Sequence, residues 1–456
     1  MIPFLHGLEN YTKKVSSHSG VHFEKLSVLI AGLVILFISL ALFPKMVLPA
    51  VSLALFLSPL WLSALVVSAA WFMWITLKRG EFIAKQNYLL LEIKPPRNLE
   101  KTPLAMEAVI SGIHLDPGES NWYKEYLQGA VRPYFSLEIA SFEGQVHFFI
   151  WTRVGFRRAI ETSIYAQYPG AQVVEVPDYT QTISAKPEEW EIWGCDFKHS
   201  RPDSYPIKTY VDYGLDKVQK EPEQVDPLAN VIEFMGAFGK GEYFWLQFIV
   251  RVHKGEKYKK LTADGKAFTW KNEATEKVDE IRKLAQRKST YTDPVTGKVV
   301  ISEGFPNPTK GQQELIAAIE RNVAKLGFDT GIRAIYMARP GHFSGTTIAS
   351  IKGLFKAFSS ETHNDITWNT SRGLLKFEDY PWEINVEKRK NKVRRKLVDA
   401  FRRRQFFHSP YPNTDYMVMS TEELATVFHI PSYAVETPGL PRIQSATSTA
   451  PANLPI

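Results

Sequence analysis

Two long apolar runs near the amino terminus constrain this chain more than any other feature. They cover Leu26–Phe43 and Met46–Leu77, contain no charged side chain, and are separated by only two residues. As α-helices rising 1.5 Å per residue they would be about 27 and 48 Å long, against a bilayer hydrocarbon core of about 30 Å. The sequence therefore predicts a transmembrane helical hairpin over residues 26–77, with the surplus length taken up by tilting or kinking.

A buried core helix or a cleaved signal peptide would also be apolar, but both fit these runs less well. A buried core helix normally carries a polar stripe, and neither run has one. A cleaved signal peptide would not follow the polar lead of residues 1–25, nor be followed at once by a second apolar run.

Basic side chains lie outside the hairpin rather than between its helices. They are Lys13, Lys14 and Lys25 before it and Lys78, Arg79 and Lys85 after it, with only Lys45 between. The positive-inside rule then places both termini in the cytoplasm of a multi-pass protein of the cytoplasmic membrane. Trp71, Phe72 and Trp74 stand where an aromatic belt at the inner interface is expected.

The net positive charge of the chain is concentrated in one segment. Residues 388–404 hold ten Lys or Arg and one Asp, whereas the rest of the chain carries 45 basic and 47 acidic residues. The net charge of +7 is therefore a local property that needs its own explanation. Cys195 is the only cysteine, so no disulfide can form within the chain, which suits a reducing cytoplasm.

Apolar periodicity after the hairpin predicts an α+β cytoplasmic body. Residues 85–178 form its first unit, in the order β-α-β-β-α-β. The predicted elements are strands Leu89–Ile93, Tyr134–Ala140, Val146–Trp151 and Ala171–Val176, a helix opened by Thr102-Pro103, and a helix Gly155–Tyr168. This order is the split βαβ, or ferredoxin-like, pattern, which buries one face of a sheet under two helices.

The pattern is expected to return in residues 190–340, with an insertion at about 254–310. Asp226-Pro227-Leu228-Ala229 repeats the Thr102-Pro103-Leu104-Ala105 opening, with a capping residue before proline in both. The other predicted elements are strands Glu191–Phe197, Tyr205–Tyr213, Tyr243–Val252 and Ile332–Met337, a helix Gln312–Leu326 and, in the insertion, a helix Asn272–Arg287 and a turn Asp293–Gly297.

A helical region is predicted over residues 341–430. It contains helices at Thr346–Phe358, at the basic segment and at Thr421–Val427. A flexible tail rich in Pro, Ser and Thr follows over residues 431–456.

No motif predicts a catalytic, cofactor or metal site. Gly236–Gly241 is nearest to a Walker phosphate loop, but Phe234 stands where its first glycine belongs and Gly241 where a hydroxyl must bind Mg²⁺. A helix cap followed by a turn is expected there instead. Gly341–Gly345 places its serine one position too late for a nucleophile elbow. We expect a non-enzyme, with a membrane-bound hydrolase assembled from distant residues as an open alternative.

The basic segment is the best candidate for an interaction site. Periodicity predicts a helix with Val393, Leu397, Ala400 and Phe401 on one face and cations on the others. Three roles stay open: binding nucleic-acid phosphates, binding anionic lipid, or solvating a helix that only packs on the body. The candidate binding residues are Lys388, Arg389, Lys390, Lys392, Arg394, Arg395, Lys396, Arg402, Arg403 and Arg404.

A set of motifs keeps its order over residues 85–456. The motifs are Glu92–Pro96, Glu100–Ala105, Phe135–Ile139, Ile164–Ala171, Ser420–Thr426, Phe428–Pro431 and Thr437–Arg442. Together they resemble the non-ATPase amino-terminal region of membrane-anchored type IV secretion or conjugation-type ATPases. These belong to the coupling-protein class of bacteria of the candidate phyla radiation.

The resemblance implies a function but carries over no ATPase activity. In that family the region matching Asn453-Leu454-Pro455 leads toward an ATPase domain with a Walker loop, whereas this chain ends at Ile456. We therefore expect a membrane-anchored accessory scaffold that positions a separate P-loop ATPase, or its DNA or protein cargo. Direct binding of nucleic acid or anionic lipid by the basic helix is the alternative.

Overall fold

The structure is a computed structural model of the chain. It describes residues 32, 34–35, 37–39, 41–96, 99, 101–115, 119, 121–216, 225–292, 299–369, 385–432 and 441. The chain divides into two compact units, residues 1–85 with 118–131 and residues 86–117 with 132–456. The lead 1–25, the turn predicted at Asp293–Gly297 and nearly all of the tail 431–456 lie outside the described residues.

The first unit carries the apolar helices. Helices α1 (Pro44–Phe56) and α2 (Ser58–Ala84) meet at Leu57, directly before Ser58-Pro59, so the second apolar run is interrupted where a proline lies. Within the described part of the chain, α2 is the one helix that is long and apolar enough to cross a membrane. The first predicted span, Leu26–Phe43, lies only partly within the described residues.

The surface of α2 suits a hydrocarbon environment. None of its described residues is buried, and Leu60 and Met73 are 70% and 69% exposed. Two of its three serines are satisfied within the helix: Ser63 Oγ donates to Pro59 O at 2.6 Å and Ser68 Oγ to Ala64 O at 2.6 Å. In lipid an unpaired polar group costs several kcal/mol, so such internal bonding is what a spanning helix needs.

The second unit is an α+β body built on one antiparallel sheet. Its strands are β1 Tyr88–Lys94, β2 Tyr134–Phe142, β3 Gln145–Arg153, β4 Gln172–Val176, β5 Glu191–His199, β6 Glu242–Val252, β7 Gln286–Thr292, β8 Val299–Pro306, β9 Gly327–Ala338, β10 Ile366–Asn369 and β11 Met417–Ser420. Its helices are α3 Pro103–Gly112, α4 Arg157–Gln167, α5 Pro227–Gly236, α6 Trp270–Leu284, α7 Lys310–Ala324, α8 Gly345–Lys352, α9 Val386–Arg402 and α10 Thr421–Val427. The sheet runs β10-β5-β9-β6-β2-β3-β1-β4, with β11 beside β9, while β7 and β8 form a separate hairpin.

Two halves of this sheet share one arrangement. The first half follows the chain as β1-α3-β2-β3-α4-β4 and the second as β5-α5-β6-β9-α8-β10. In space their strand orders are β4-β1-β3-β2 and β10-β5-β9-β6, which correspond strand for strand. The repeated openings at Pro103 and Pro227 begin the equivalent helices α3 and α5. The halves join where β2 pairs with β6 along the whole of β2.

The insertion between β6 and β9 is longer than the pattern predicts. It includes α6, the β7–β8 hairpin and also α7, the helix predicted as Gln312–Leu326. Helix α7 packs on α6 through a small apolar cluster containing Val278, Ile281 and Ile319. The second helix of the repeated arrangement is therefore α8 rather than α7.

Residues 205–213, predicted as a strand, form irregular backbone followed by a turn instead. Two of the backbone donors bond to side chains of α10: Ile207 N donates to Glu423 Oε1 at 3.0 Å and Tyr210 N to Thr426 Oγ1 at 3.1 Å. Residues 341–430, predicted as helical, also contain the two short strands β10 and β11. Both strands form at the second half of the sheet, where β10 pairs with β5 and β11 with β9.

The two faces of the sheet are covered differently. One face packs against α3, α4, α5, α8 and α10 in the main apolar core. The other face carries a second cluster, which includes Trp151, Trp190 and Trp245 from the sheet side and Leu397 and Phe401 from α9. The basic helix is thus part of the core of the second face.

Candidate nucleic-acid or lipid interface

Helix α9 is fixed on the sheet by its apolar face. Val393, Leu397, Val398, Ala400 and Phe401 are buried, which confirms the predicted apolar stripe and adds Val398. The Phe401 and Trp245 rings lie 5.4 Å apart between centroids. Leu397 lies so close to β5 that a side chain at Gly194 would contact its Cδ2 at 2.7 Å. This close approach holds the helix directly above the strands.

The ten candidate cations fall into three groups. Five are exposed, namely Lys388, Lys392, Arg395, Lys396 and Arg403. Four are half-buried, namely Arg389, Lys390, Arg394 and Arg402. The last, Arg404, is fully buried. The structure therefore leaves only part of the predicted basic surface open to solvent.

Several of the cations are already engaged within the chain. Arg394 NH1 lies 2.8 Å from Glu387 Oε1, and Arg403 Nε lies 2.9 Å from Asp399 Oδ1. Arg402 Nε donates to the carbonyl oxygen of Thr180 at 2.9 Å. The first two contacts lie within α9 and its C-cap, and the third binds the end of α9 to the loop after β4.

Four exposed cations form a continuous stripe. Lys388, Lys392, Arg395 and Lys396 lie within an arc of about 100° on a helix of 3.6 residues per turn, and extend over about 12 Å. In the part of the chain that the structure describes, none of these four side chains forms a salt bridge. The described salt bridges of α9 are made by Arg394 and Arg403 instead. We call these four residues the cationic stripe; it faces away from the buried side of α9.

Two residues beyond the end of α9, Arg404 has an uncommon backbone conformation. Gln405 N donates to Ala400 O at 3.1 Å and Arg404 N to Phe401 O at 3.0 Å, the two bonds of a Schellman motif. In that motif the left-handed position normally holds glycine, but here it holds Arg404 with φ of 48°. The left-handed conformation destabilises an L-residue by about 1 kcal/mol. The contacts of the Arg404 side chain must therefore stabilise the fold by at least that amount.

The side chain of Arg404 enters a buried acidic pocket. Its Nε lies 3.0 Å from Glu138 Oε1 on β2, and its NH2 lies 3.0 Å from Asp178 Oδ1 after β4. Glu138 also accepts hydrogen bonds from Tyr179 and Gln247 at 2.8 and 2.9 Å. Burial lowers the pKa of Arg404, but the two carboxylates outweigh burial and raise it overall. Arg404 therefore stays charged and holds α9 in place, and it cannot bind an external anion.

No local pattern in the sequence indicates this pocket, so Arg404 was wrongly expected on the binding surface. Arg402, Arg403 and Arg404 are consecutive and look alike, while Glu138 lies 266 residues away in the chain. Three consecutive arginines give no local indication of which side chain points into the protein interior. The one hint is that Glu138 alternates with apolar residues in a strand that is otherwise buried almost throughout.

The glycine-rich segment before β6 is a turn. Helix α5 ends at Gly236, and Gly241 has φ of 83°. The backbone N–H groups that would bind phosphate in a Walker loop are used internally: Gly239 N donates to Glu242 Oε2 at 3.0 Å and Gly241 N to Glu143 Oε1 at 2.9 Å. Carboxylates in these positions repel a phosphate, in agreement with the predicted cap and turn.

Other charged groups of the second unit also bridge distant segments. Asp329 on β9 accepts from Arg251 Nε at 2.9 Å and lies 2.6 Å from His253 Nδ1, both on or next to β6. Arg333 on β9 donates to Asp196 on β5 at 2.9 Å.

Among the described residues, no group of three or more His, Cys, Asp or Glu side chains could hold a metal ion.

Comparison with known proteins gives one family. A family model described as a domain of unknown function, DUF8128, matches residues 78–441, which is most of the chain. No curated protein matches the chain. No solved structure matches it either.

Proposed function

The chain belongs to the DUF8128 family, and on that premise we propose that it is a membrane-anchored, non-enzymatic scaffold. It positions a type IV secretion or conjugation-type ATPase supplied by another chain, together with the DNA or protein cargo of that ATPase. The anchor is a hairpin of two spans in the cytoplasmic membrane, with both termini in the cytoplasm. The body consists of two ferredoxin-like units in one sheet.

The observation that carries this proposal is the pairing of an unburied apolar helix with a firmly built body. Helix α2 exposes apolar side chains along its whole length, at a cost in water of about 25 cal/mol per Å². The body places several buried charged residues in ion pairs that join distant segments, such as Arg404 with Glu138 and Arg333 with Asp196. Such an arrangement suits attachment and positioning.

The ferredoxin-like description is supported by topology. Each half has the order β-α-β-β-α-β and the spatial strand order 4-1-3-2, with antiparallel neighbours throughout. The link to secretion ATPases is supported by the ordered motifs, two of which are structural signals. Thr102-Pro103 begins α3, and Ser420 caps α10 in a capping box with Glu423.

Purification of the tagged full-length protein from detergent-solubilised native membranes tests the proposal. We expect a separate P-loop ATPase to be recovered in near-stoichiometric amount, identified by mass spectrometry. An unrelated tagged two-span membrane protein of similar abundance serves as the control. If the ATPase is absent, or is equally abundant with the control, the scaffold proposal is wrong.

A second candidate function, direct polyanion binding, is favoured by the cationic stripe. Replacing all four of its residues by glutamine should weaken binding of a nucleic-acid duplex about 10- to 100-fold at low salt and reduce the salt dependence of log K by up to about 4 units. Fluorescence anisotropy of the full-length protein in detergent at several salt concentrations measures both quantities.

A matched variant controls for net charge. It carries four exposed lysines of the second unit replaced by glutamine, namely Lys259, Lys266, Lys271 and Lys283. If it loses as much affinity as the stripe variant, binding follows overall charge and the stripe is not a site. If only vesicles of anionic lipid, and no nucleic acid, distinguish the two variants, the stripe binds the membrane surface instead.

A further inference from the structure

A short segment distant in sequence from α2 lies within the same compact unit. Residues 121–128 contain a single helical turn, Tyr123–Leu127. Two of its aromatic side chains are largely exposed to solvent, Trp122 by 62% and Tyr123 by 54%. We call Asn121–Gln128 the interfacial segment.

The interfacial segment is bound to the carboxyl-terminal part of α2. Trp74 Nε1 donates to Tyr126 O at 3.2 Å, and the Trp71 and Tyr126 rings stack at 6.0 Å between centroids with 23° between their planes. Arg79 NH2 lies 3.8 Å from Glu125 Oε1. An aromatic, a polar and an ionic contact therefore hold the segment at one level of the helix.

The backbones also approach closely at the end of the segment. Gly129 has φ of 69°, and a Cβ there would overlap the backbone of Lys78 and Arg79. Only glycine allows both this left-handed conformation and this contact. The segment is therefore seated on α2 at a fixed point.

That point is where α2 would leave the hydrocarbon. Trp71 and Trp74 are followed by Lys78, whose Nζ lies 5.0 Å from the centre of the Trp74 ring. From Trp71 to Lys78 the helix rises about 10 Å, which is enough to cross a headgroup layer of about 5 to 7.5 Å. Tryptophan and tyrosine favour this layer because their rings are apolar and their polar atoms need water or headgroups.

We propose that the interfacial segment lies in the headgroup layer of the phospholipid bilayer, with Trp122 and Tyr123 inserted as anchors. It makes a second membrane contact, continuous with the exposed apolar surface of α2. The proposal rests on the membrane anchoring by α2 included in the proposed function. It adds a lipid-binding element that is not part of a membrane span.

Spin labelling of the full-length protein in phosphatidylcholine–phosphatidylglycerol vesicles tests it. Cys195 is buried, and a Cys195→Ala background frees the chain of other thiols. Single labels are placed by Lys124→Cys in the segment, Phe72→Cys in α2 and Thr275→Cys on the exposed surface of α6. Collision with oxygen, which concentrates in lipid, is compared with collision with a water-soluble nickel chelate.

We expect the oxygen-to-nickel ratio at position 124 to exceed that at position 275 by about threefold or more, and to lie below that at position 72. Adding Trp122→Ser and Tyr123→Ser should bring position 124 to the value of position 275. If position 72 reports lipid while position 124 matches position 275 without those changes, the segment is not interfacial although α2 is anchored. If positions 72 and 124 both match position 275, membrane anchoring itself is wrong.

Discussion

The Arg404→Gly variant should lose about 3 kcal/mol of unfolding free energy, because it leaves Glu138 and Asp178 without their buried cation. Glycine is the informative replacement, since it keeps and even favours the left-handed backbone at this position. The loss then reports the missing guanidinium rather than a strained turn. Guanidinium chloride unfolding of the full-length protein in detergent micelles, followed by tryptophan fluorescence, measures the change.

The neighbouring arginine is the matched control. Arg403 is exposed and pairs with Asp399 one helical turn earlier, so Arg403→Ala should change stability by less than about 0.5 kcal/mol. If the two variants lose equal stability, the buried ion pairs of Arg404 add no measurable free energy of unfolding, and α9 is held by its apolar face alone.

The His429→Gln variant should lose about 2 kcal/mol at pH 6 and clearly less at pH 9. His429 Nδ1 lies 2.9 Å from Ala425 O, and Nε2 lies 2.9 Å from Asp226 Oδ2. Both partners are acceptors, so both ring nitrogens must donate, and the buried ring is an imidazolium. Its charge-assisted bond joins the end of α10 to the cap of α5, because Asp226 Oδ1 also accepts from Leu228 N at 2.8 Å.

The pH dependence follows from the direction of the two shifts. Burial lowers the pKa of His429, but the Asp226 carboxylate and the hydrogen bonds outweigh burial and raise it above 6.5. Burial raises the pKa of Asp226, but His429 outweighs burial and lowers it below 3.8. The stability from His429 is therefore complete below its unfolded pKa and is lost as pH rises through its folded pKa. The stability contributed by the Asp226 carboxylate is lost only as the pH falls through the lowered pKa of Asp226.

Unfolding curves at pH 6, 7.5 and 9 for the wild type and His429→Gln test this expectation. The difference between them should shrink as pH rises. His342→Gln, at an exposed position, is the control and should give parallel curves. A difference for His429→Gln that does not change with pH would show that the ring is neutral in the folded protein.

Local patterns predicted much of this fold because the relevant signals are local. The capping box at Ser420 and the proline openings at Pro103 and Pro227 act within one helical turn, and the helices begin there. The apolar stripe of α9 is likewise visible in a single helix, since Val393, Leu397 and Phe401 recur at helical spacing. Such features need no knowledge of distant residues.

The failures have the opposite origin. Tyr205–Tyr213 alternates like a strand, but two of its backbone N–H groups donate to Glu423 and Thr426, more than 200 residues later. Strands β10 and β11 have four residues each, which is too short for a period to be recognised, and they exist because β5 and β9 offer free edges. For the basic segment, the side chain of Arg404 was placed by Glu138, which lies in another part of the chain.

The pairing of β2 with β6 has a consequence for dividing the chain. The two halves repeat one arrangement, which invites cutting between β4 and β5 to study each alone. Yet the cut would remove one of the two neighbouring strands from nine residues of β2 and from most of β6, leaving two long unpaired edges. Unprotected edges of this kind recruit other strands, so isolated halves are prone to aggregate. The two halves therefore correspond in strand order, but one continuous sheet joins them.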